Sequence, residues 1–248
     1  SIIVAFIALV INIIAISHTA YKNEKLTCDH YIINSYLYFT LAVLIVVFTV
    51  VVNVKFQFLE KIAPMFVSLV GSIIFLIVIF ILFFYFKTLD PTKNNVQIHA
   101  VWTFIFVVLS IILYPAILFT KLTNILPQVL GVVLLIIVFT AYLGINHGDW
   151  VVRFNWDKYL YGTLVILLVL ILLLAMSGNY TENIDIFLTY SILIIFILLM
   201  ISYNKRLVEN SKKCLEHHNP NYLDESLGLF TKIMNVFVRV ARLMGRRR

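Results

Sequence analysis

Seven stretches of the chain, roughly 1–21, 30–54, 64–86, 100–120, 122–148, 159–181 and 186–204, carry no Asp, Glu, Lys or Arg. Each is about as long as the roughly 20 apolar residues that a helix needs to cross a bilayer core of about 30 Å. In lipid, backbone groups must bond within their own segment, so such runs are helices. An eighth run, 227–243, is apolar but carries Lys232, Arg239 and Arg242. The pattern predicts an all-α membrane protein, a bundle of seven to eight transmembrane helices.

The last run has a periodicity of its own. Glu225, Gly228, Lys232, Asn235, Arg239 and Arg242 recur every three or four residues and so share one helical face. Two placements fit this polar stripe: an amphipathic helix lying in the interface, or a helix inside the bundle whose stripe faces protein. Charge distribution bears on the choice. If all eight runs cross, the Lys and Arg outside the last run divide ten against six between the two sides. If the last run does not fully cross, Arg246, Arg247 and Arg248 join the basic side and the division becomes thirteen against three. The positive-inside rule favours that second arrangement, with the last helix central or re-entrant.

Composition narrows the class. Hydrophobic residues make up 62% of the chain and charged residues 12%, which leaves no room for a soluble domain. The net charge of +7 fits membrane orientation and headgroup contact, and no nucleic-acid module is present. Residues 1–30 read as an N-terminal helix and loop, and 31–248 as the main bundle. The only Gly-xxx-Gly spacing, Gly144 to Gly148, is a candidate packing seam at a helix end. Pro115 is expected to kink the fourth run, Pro127 to open the fifth, and Asp90-Pro91 to mark a turn.

Few residues offer chemistry. Cys28 and His30, with Cys214 and His217, fall in segments expected to be loops on one side of the membrane, and four such ligands make a tetrahedral zinc set. The spacing matches no known pattern, and ordinary loop residues are the plainer reading. A disulfide between Cys28 and Cys214 is topologically allowed, but their side is the basic one, usually a reducing compartment, so two free thiols are expected there. Asn179-Tyr180-Thr181 is a glycosylation sequon set hard against a helix end. There is no phosphate loop, nucleophile–base pair or metalloprotease motif. The chain is therefore expected to be no enzyme, with no catalytic residues and no cofactor.

Three segments resemble the Bax-inhibitor family of transmembrane proteins. Residues 191–204, SILIIFILLMISYN, are similar to the family's penultimate helix, which ends in Tyr-Asp. Residues 225–237, ESLGLFTKIMNVF, resemble its final helix, and 112–115, ILYP, resembles a Leu-Phe-Pro motif in an earlier one. The resemblance implies seven helices over roughly 31–245, with 1–21 as an extra one. It also implies two carboxylates on the last two helices that share protons and gate a calcium leak. Here those positions hold Asn204 and Lys232, a divergence that removes the paired aspartates. Two roles follow as expectations. One is a structural or interaction component of a larger membrane assembly, with lipids and other subunits as partners, for example in the mitochondrial inner membrane. The other is a calcium-leak or cell-death-modulating protein, as in the family, which would call for Asp185, Asp157 or Glu225 beside Asn204 or Lys232. The sequence leaves mitochondrial, endomembrane and viral membranes equally open.

Overall fold

The computed structural model describes residues 2–22, 25–57, 69–90, 95–153, 156–178, 181–218 and 220–246. Along the chain these form α1 (Ile2–Thr19), a hairpin of β1 (Tyr21–Lys22) and β2 (Lys25–Leu26), α2 (Tyr31–Phe56), α3 (Leu69–Thr88) and α4 (Asn95–Leu122). Then follow α5 (Leu126–His147), the short α6 (Asp149–Arg153), α7 (Trp156–Met176), α8 (Glu182–His217) and α9 (Tyr222–Gly245). Among the described residues, six helices are long and apolar enough to cross a membrane: α1, α2, α4, α5, α7 and α8. The described apolar part of α3, Ile77–Thr88, is shorter. The fold is an all-α membrane bundle, as the charge-free runs predict. Pro91, the first two residues of the sequon, Arg247 and Arg248 lie outside the described residues.

Two boundaries differ from the sequence reading. The first polar loop is a two-stranded hairpin, with Tyr21 opposite Leu26 and Lys22 opposite Lys25. More consequentially, α8 does not end with its apolar run. At 36 residues and about 1.5 Å of rise per residue it is far longer than a bilayer core. Its polar continuation keeps Leu207 and Cys214 buried seven residues apart, which is a helical repeat. Cys214 therefore sits on a helix rather than in a loop. At the other joints the punctuation reads as expected. Asn124, with φ of 54°, closes the turn after α4, and Pro127 lies in the first turn of α5. α4 itself continues through Pro115.

The chain divides into two compact units, one of residues 1–115 with 211–227, the other of 116–210 with 228–248. In the first, α1 packs on α2, and the side chain of Asn34 locks the joint by donating from Nδ2 to the carbonyls of Thr19 at 3.1 Å and Asp29 at 2.9 Å. Apolar contact gives helices little reason to associate within lipid, so hydrogen bonds and close packing of this kind set their register. The core is aromatic. Tyr38 stacks on Tyr222 with ring centroids 5.9 Å apart and meets the edge of Trp102 at 5.9 Å. A disulfide joins Cys28 to Cys214, 186 residues apart in sequence. It corrects the expectation of two free thiols. In the chain-entropy account, closing a loop of that length restricts the unfolded chain by about 5 kcal/mol.

In the second unit α7 and α8 share a leucine-rich core of Leu160, Ile195 and Leu199, flanked by Leu164, Leu167, Phe196 and Leu198. The outward faces stay apolar: Ile3, Phe6, Ile7 and Ile11 on α1 and Val165, Ile166, Leu172 and Leu173 on α7 are all exposed, as residues solvated by acyl chains would be. α9 differs from these helices. Of its residues only Arg242 is exposed, which makes it the most enclosed helix among the described residues.

Candidate functional site

The two positions singled out by sequence lie on helices of the second unit. Asn204, on α8, is buried at 1% exposure and donates from Nδ2 to the carbonyl of Met200 at 3.0 Å. Its room comes from α5. A Cβ added at Gly144 would stand 2.5 Å from Asn204 Cβ and 2.6 Å from the carbonyl oxygen of Ile201, and one at Gly148 would stand 2.7 Å from Lys205 Cβ. The Gly144–Gly148 spacing is therefore a true seam, in which two missing side chains let α8 approach α5. Gly144→Ala should destabilise the protein by about 1–3 kcal/mol, the usual cost of forcing atoms into a packed contact. Gly131, on the same helix, faces open space. There the same change should be neutral or stabilising by up to about 1 kcal/mol. Thermal unfolding of both variants in one detergent checks the contrast.

Lys232, on α9, is only 9% exposed. Its Nζ lies 3.9 Å from the centroid of the Tyr203 ring and donates to the carbonyl of Gly228 at 3.3 Å. Glycine at 228 is required for this, because a Cβ there would strike the Tyr203 ring. A mid-bilayer lysine costs about 2.5–3.5 kcal/mol on insertion scales. A desolvated cation over an aromatic face recovers about 2 kcal/mol. Tyr203 is thus the partner that sequence reasoning missed, although it adjoins Asn204 in the motif that drew attention.

The polar stripe grades from buried to exposed along α9. Asn235 turns inward on its own helix and donates to the carbonyl of Thr231 at 2.7 Å, while Arg239 is half-buried. Further along, Arg242 reaches Asp185 of α8 at 3.1 Å, and Arg246 pairs with the same carboxylate, which is 3% exposed. Two more ion pairs, Arg206–Asp157 and Lys205–Asp149, join the polar part of α8 to α7 and α6. In the first unit, Glu225 accepts from the buried Tyr31 hydroxyl at 3.2 Å. The three carboxylates named from sequence, Asp185, Asp157 and Glu225, therefore engage two arginines, one arginine and a tyrosine respectively.

No metal centre is formed by the four candidate ligands. Cys28 and Cys214 are consumed by their disulfide, and among the described residues no group of three His, Cys, Asp or Glu side chains could hold an ion. The reading of Cys28, His30, Cys214 and His217 as a zinc set is thus set aside. The spacing could not reveal the sulfur bond, which depends on two segments that meet only in the folded chain.

The second residue set of note surrounds His99 of α4. Its Nε2 lies 2.9 Å from the Tyr38 hydroxyl and 3.2 Å from that of Tyr21. Trp102, one turn on, donates from Nε1 to the carbonyl of Leu223 at 3.1 Å and to Ser226 Oγ at 3.0 Å. This cluster receives the first turn of α9, where Lys87 also pairs with Asp224.

A comparison with known families covers most of the chain. A family model described as inhibitor of apoptosis-promoting Bax1 matches residues 28–248. The chain belongs to the Bax-inhibitor family. No match is found among curated proteins. The Bax-inhibitor match begins at Cys28, so α1 and the hairpin precede it, whereas both cysteines and all of α8 and α9 fall within it. The protein is a Bax-inhibitor-like integral membrane protein.

Proposed function

We propose that this protein is a structural or interaction component of a larger membrane assembly and that it has given up the proton and calcium switch of the family. One observation carries the reading: a buried lysine is held over Tyr203, at the position where the family resemblance implies a carboxylate. A carboxylate there could bind a divalent cation and exchange protons; an ammonium group repels that cation and offers no acceptor. Asn204 is buried and does not titrate in place of the other acid. The remaining acidic groups support a static role, since Asp157 and Asp185 serve as anchors for arginines between helices. On this reading the protein catalyses no reaction, and its partners are lipids and neighbouring subunits. A mitochondrial inner-membrane, endomembrane or viral complex would each provide them.

The test is extraction from its native membrane in mild detergent followed by size-exclusion chromatography. The expected result is a stoichiometric complex with one or more other membrane chains. A lone, monodisperse monomer would count against the assembly role and favour the leak-channel reading.

A further inference from the structure

The disulfide and the charge pattern disagree, and the disagreement is informative. Lys22 and Lys25 precede Cys28 by a few residues, Lys212 and Lys213 directly precede Cys214, and all four lysines are exposed. By the positive-inside rule such a face turns to the cytoplasmic side. Thiols there are kept reduced, and the disulfides found in such compartments are mostly transient or redox-sensing rather than structural. The two sulfurs are also unequally sheltered. Cys214 is buried at 4% exposure, whereas Cys28 is half-buried, which makes Cys28 the more approachable of the two.

What the bond holds is the approach to the last helix. Cys214 lies in the final turn of α8, eight residues before Tyr222 opens α9. Next to the bond, the Tyr222 hydroxyl donates to the carbonyl of Thr27, and Tyr31 and Trp102 hold Glu225 and Ser226. Other ties to this part of α9 include hydrogen bonds, ring contacts, the buried Leu223 and the Lys87–Asp224 pair, each of which can open and close locally.

We infer that Cys28–Cys214 is a redox latch that fixes the entry of α9 when closed and frees it when a thiol of the glutathione or dithiol class opens it. The attacking thiolate bonds to the sulfur of Cys28, the Cys28–Cys214 bond breaks, and Cys214 leaves as a thiolate and takes a proton. A second thiol then displaces Cys28 from the mixed disulfide. The protein gains two thiols, and the two reductant thiols, on two glutathione molecules or one dithiol, leave joined as one disulfide, so atoms and electrons balance. In the closed state the Tyr222–Glu225 turn is fixed; in the open state it exchanges between docked and undocked positions while α9 stays in the bundle.

The test uses the wild-type protein in phospholipid nanodiscs, equilibrated with glutathione buffers of graded poise and then quenched and trapped with a maleimide of high mass. Two thiols should appear together over the poise range of cellular glutathione, without denaturant. Hydrogen exchange read on the same samples should accelerate by about tenfold or more across 221–227 on reduction, with α5 and α7 unchanged. Cys28→Ser should show the fast exchange under every buffer. A bond that stays closed in excess reduced glutathione would make it a permanent staple and overturn the latch, as would reduction that leaves exchange at 221–227 unaltered. Thiols already free in air-oxidised protein would also overturn it.

Discussion

Tyr203→Ala should destabilise the protein by about 2–4 kcal/mol, somewhat below the range for removing a fully buried aromatic side chain, because Tyr203 is half-buried. Two losses combine in that figure. A cavity opens against Gly228, whose missing Cβ exists to admit the ring. The Lys232 ammonium also loses the π face beneath it at 3.9 Å while staying buried. The second loss can be isolated. Lys232→Met keeps the length of the side chain and removes the charge, and replacing a buried charge by an apolar group of like volume is often neutral or stabilising. In the Lys232→Met background, Tyr203→Ala should therefore cost about 2 kcal/mol less than in the wild type. Unfolding in a mixed-micelle denaturant series, for the wild type, both single variants and the double, closes the cycle. A coupling near zero would mean that the ring only fills space and that the lysine is stabilised elsewhere. That result would remove the argument that this site was rebuilt around a fixed cation.

How much of this was legible in the chain depends on the range of the interaction. The spans were legible because the bilayer imposes a length and a polarity on every crossing segment, and the charge-free runs mark α1, α2, α4, α5, α7 and α8. The stripe on α9 was legible because helical periodicity is local. The continuation of α8 through Lys205–His217 was not, since its charges resemble a loop and only the seven-residue step from Leu207 to Cys214 hints at a buried face. Partners across helices were out of reach. Nothing in the spacing ties Lys232 to Tyr203, Asp185 to Arg242 and Arg246, or Cys28 to Cys214, because each pair is set by packing. The charge rule pointed away from the disulfide. It speaks of the compartment in which a loop resides, whereas the bond depends on two Cα atoms lying 5.6 Å apart. Gly144 and Gly148 lay between these cases. Their spacing was visible, but its meaning required Asn204 and Lys205 to arrive opposite.

Changing both divergent positions to the family's acidic form, Asn204→Asp with Lys232→Asp, should turn a silent protein into one that leaks calcium. The wild type in liposomes loaded with a calcium indicator should pass no pH-dependent flux. Its buried ammonium opposes a cation by about 4 kcal/mol per unit of charge at about 4 Å in surroundings of intermediate polarity. The double variant replaces that repulsion with two acceptors. Lys232 lies over the ring of Tyr203, the residue next to Asn204, so the two new carboxylates would project from neighbouring parts of α9 and α8. Carboxylates that share a desolvated site cannot both ionise freely, and one titrates well above its ordinary range. The flux should accordingly vary between about pH 5 and 8, falling as the pair takes up protons and loses its charge. Asn204→Asp alone should stay silent, because the new carboxylate meets the Lys232 cation and each satisfies the other. That single variant separates two explanations that the double cannot: a leak in Asn204→Asp alone would mean that Lys232 lies outside the path, whereas silence in both would mean that the bundle has lost the path as well as the switch. A wild type that already leaks with a steep pH dependence would overturn the assignment of these two residues and, with it, the structural role.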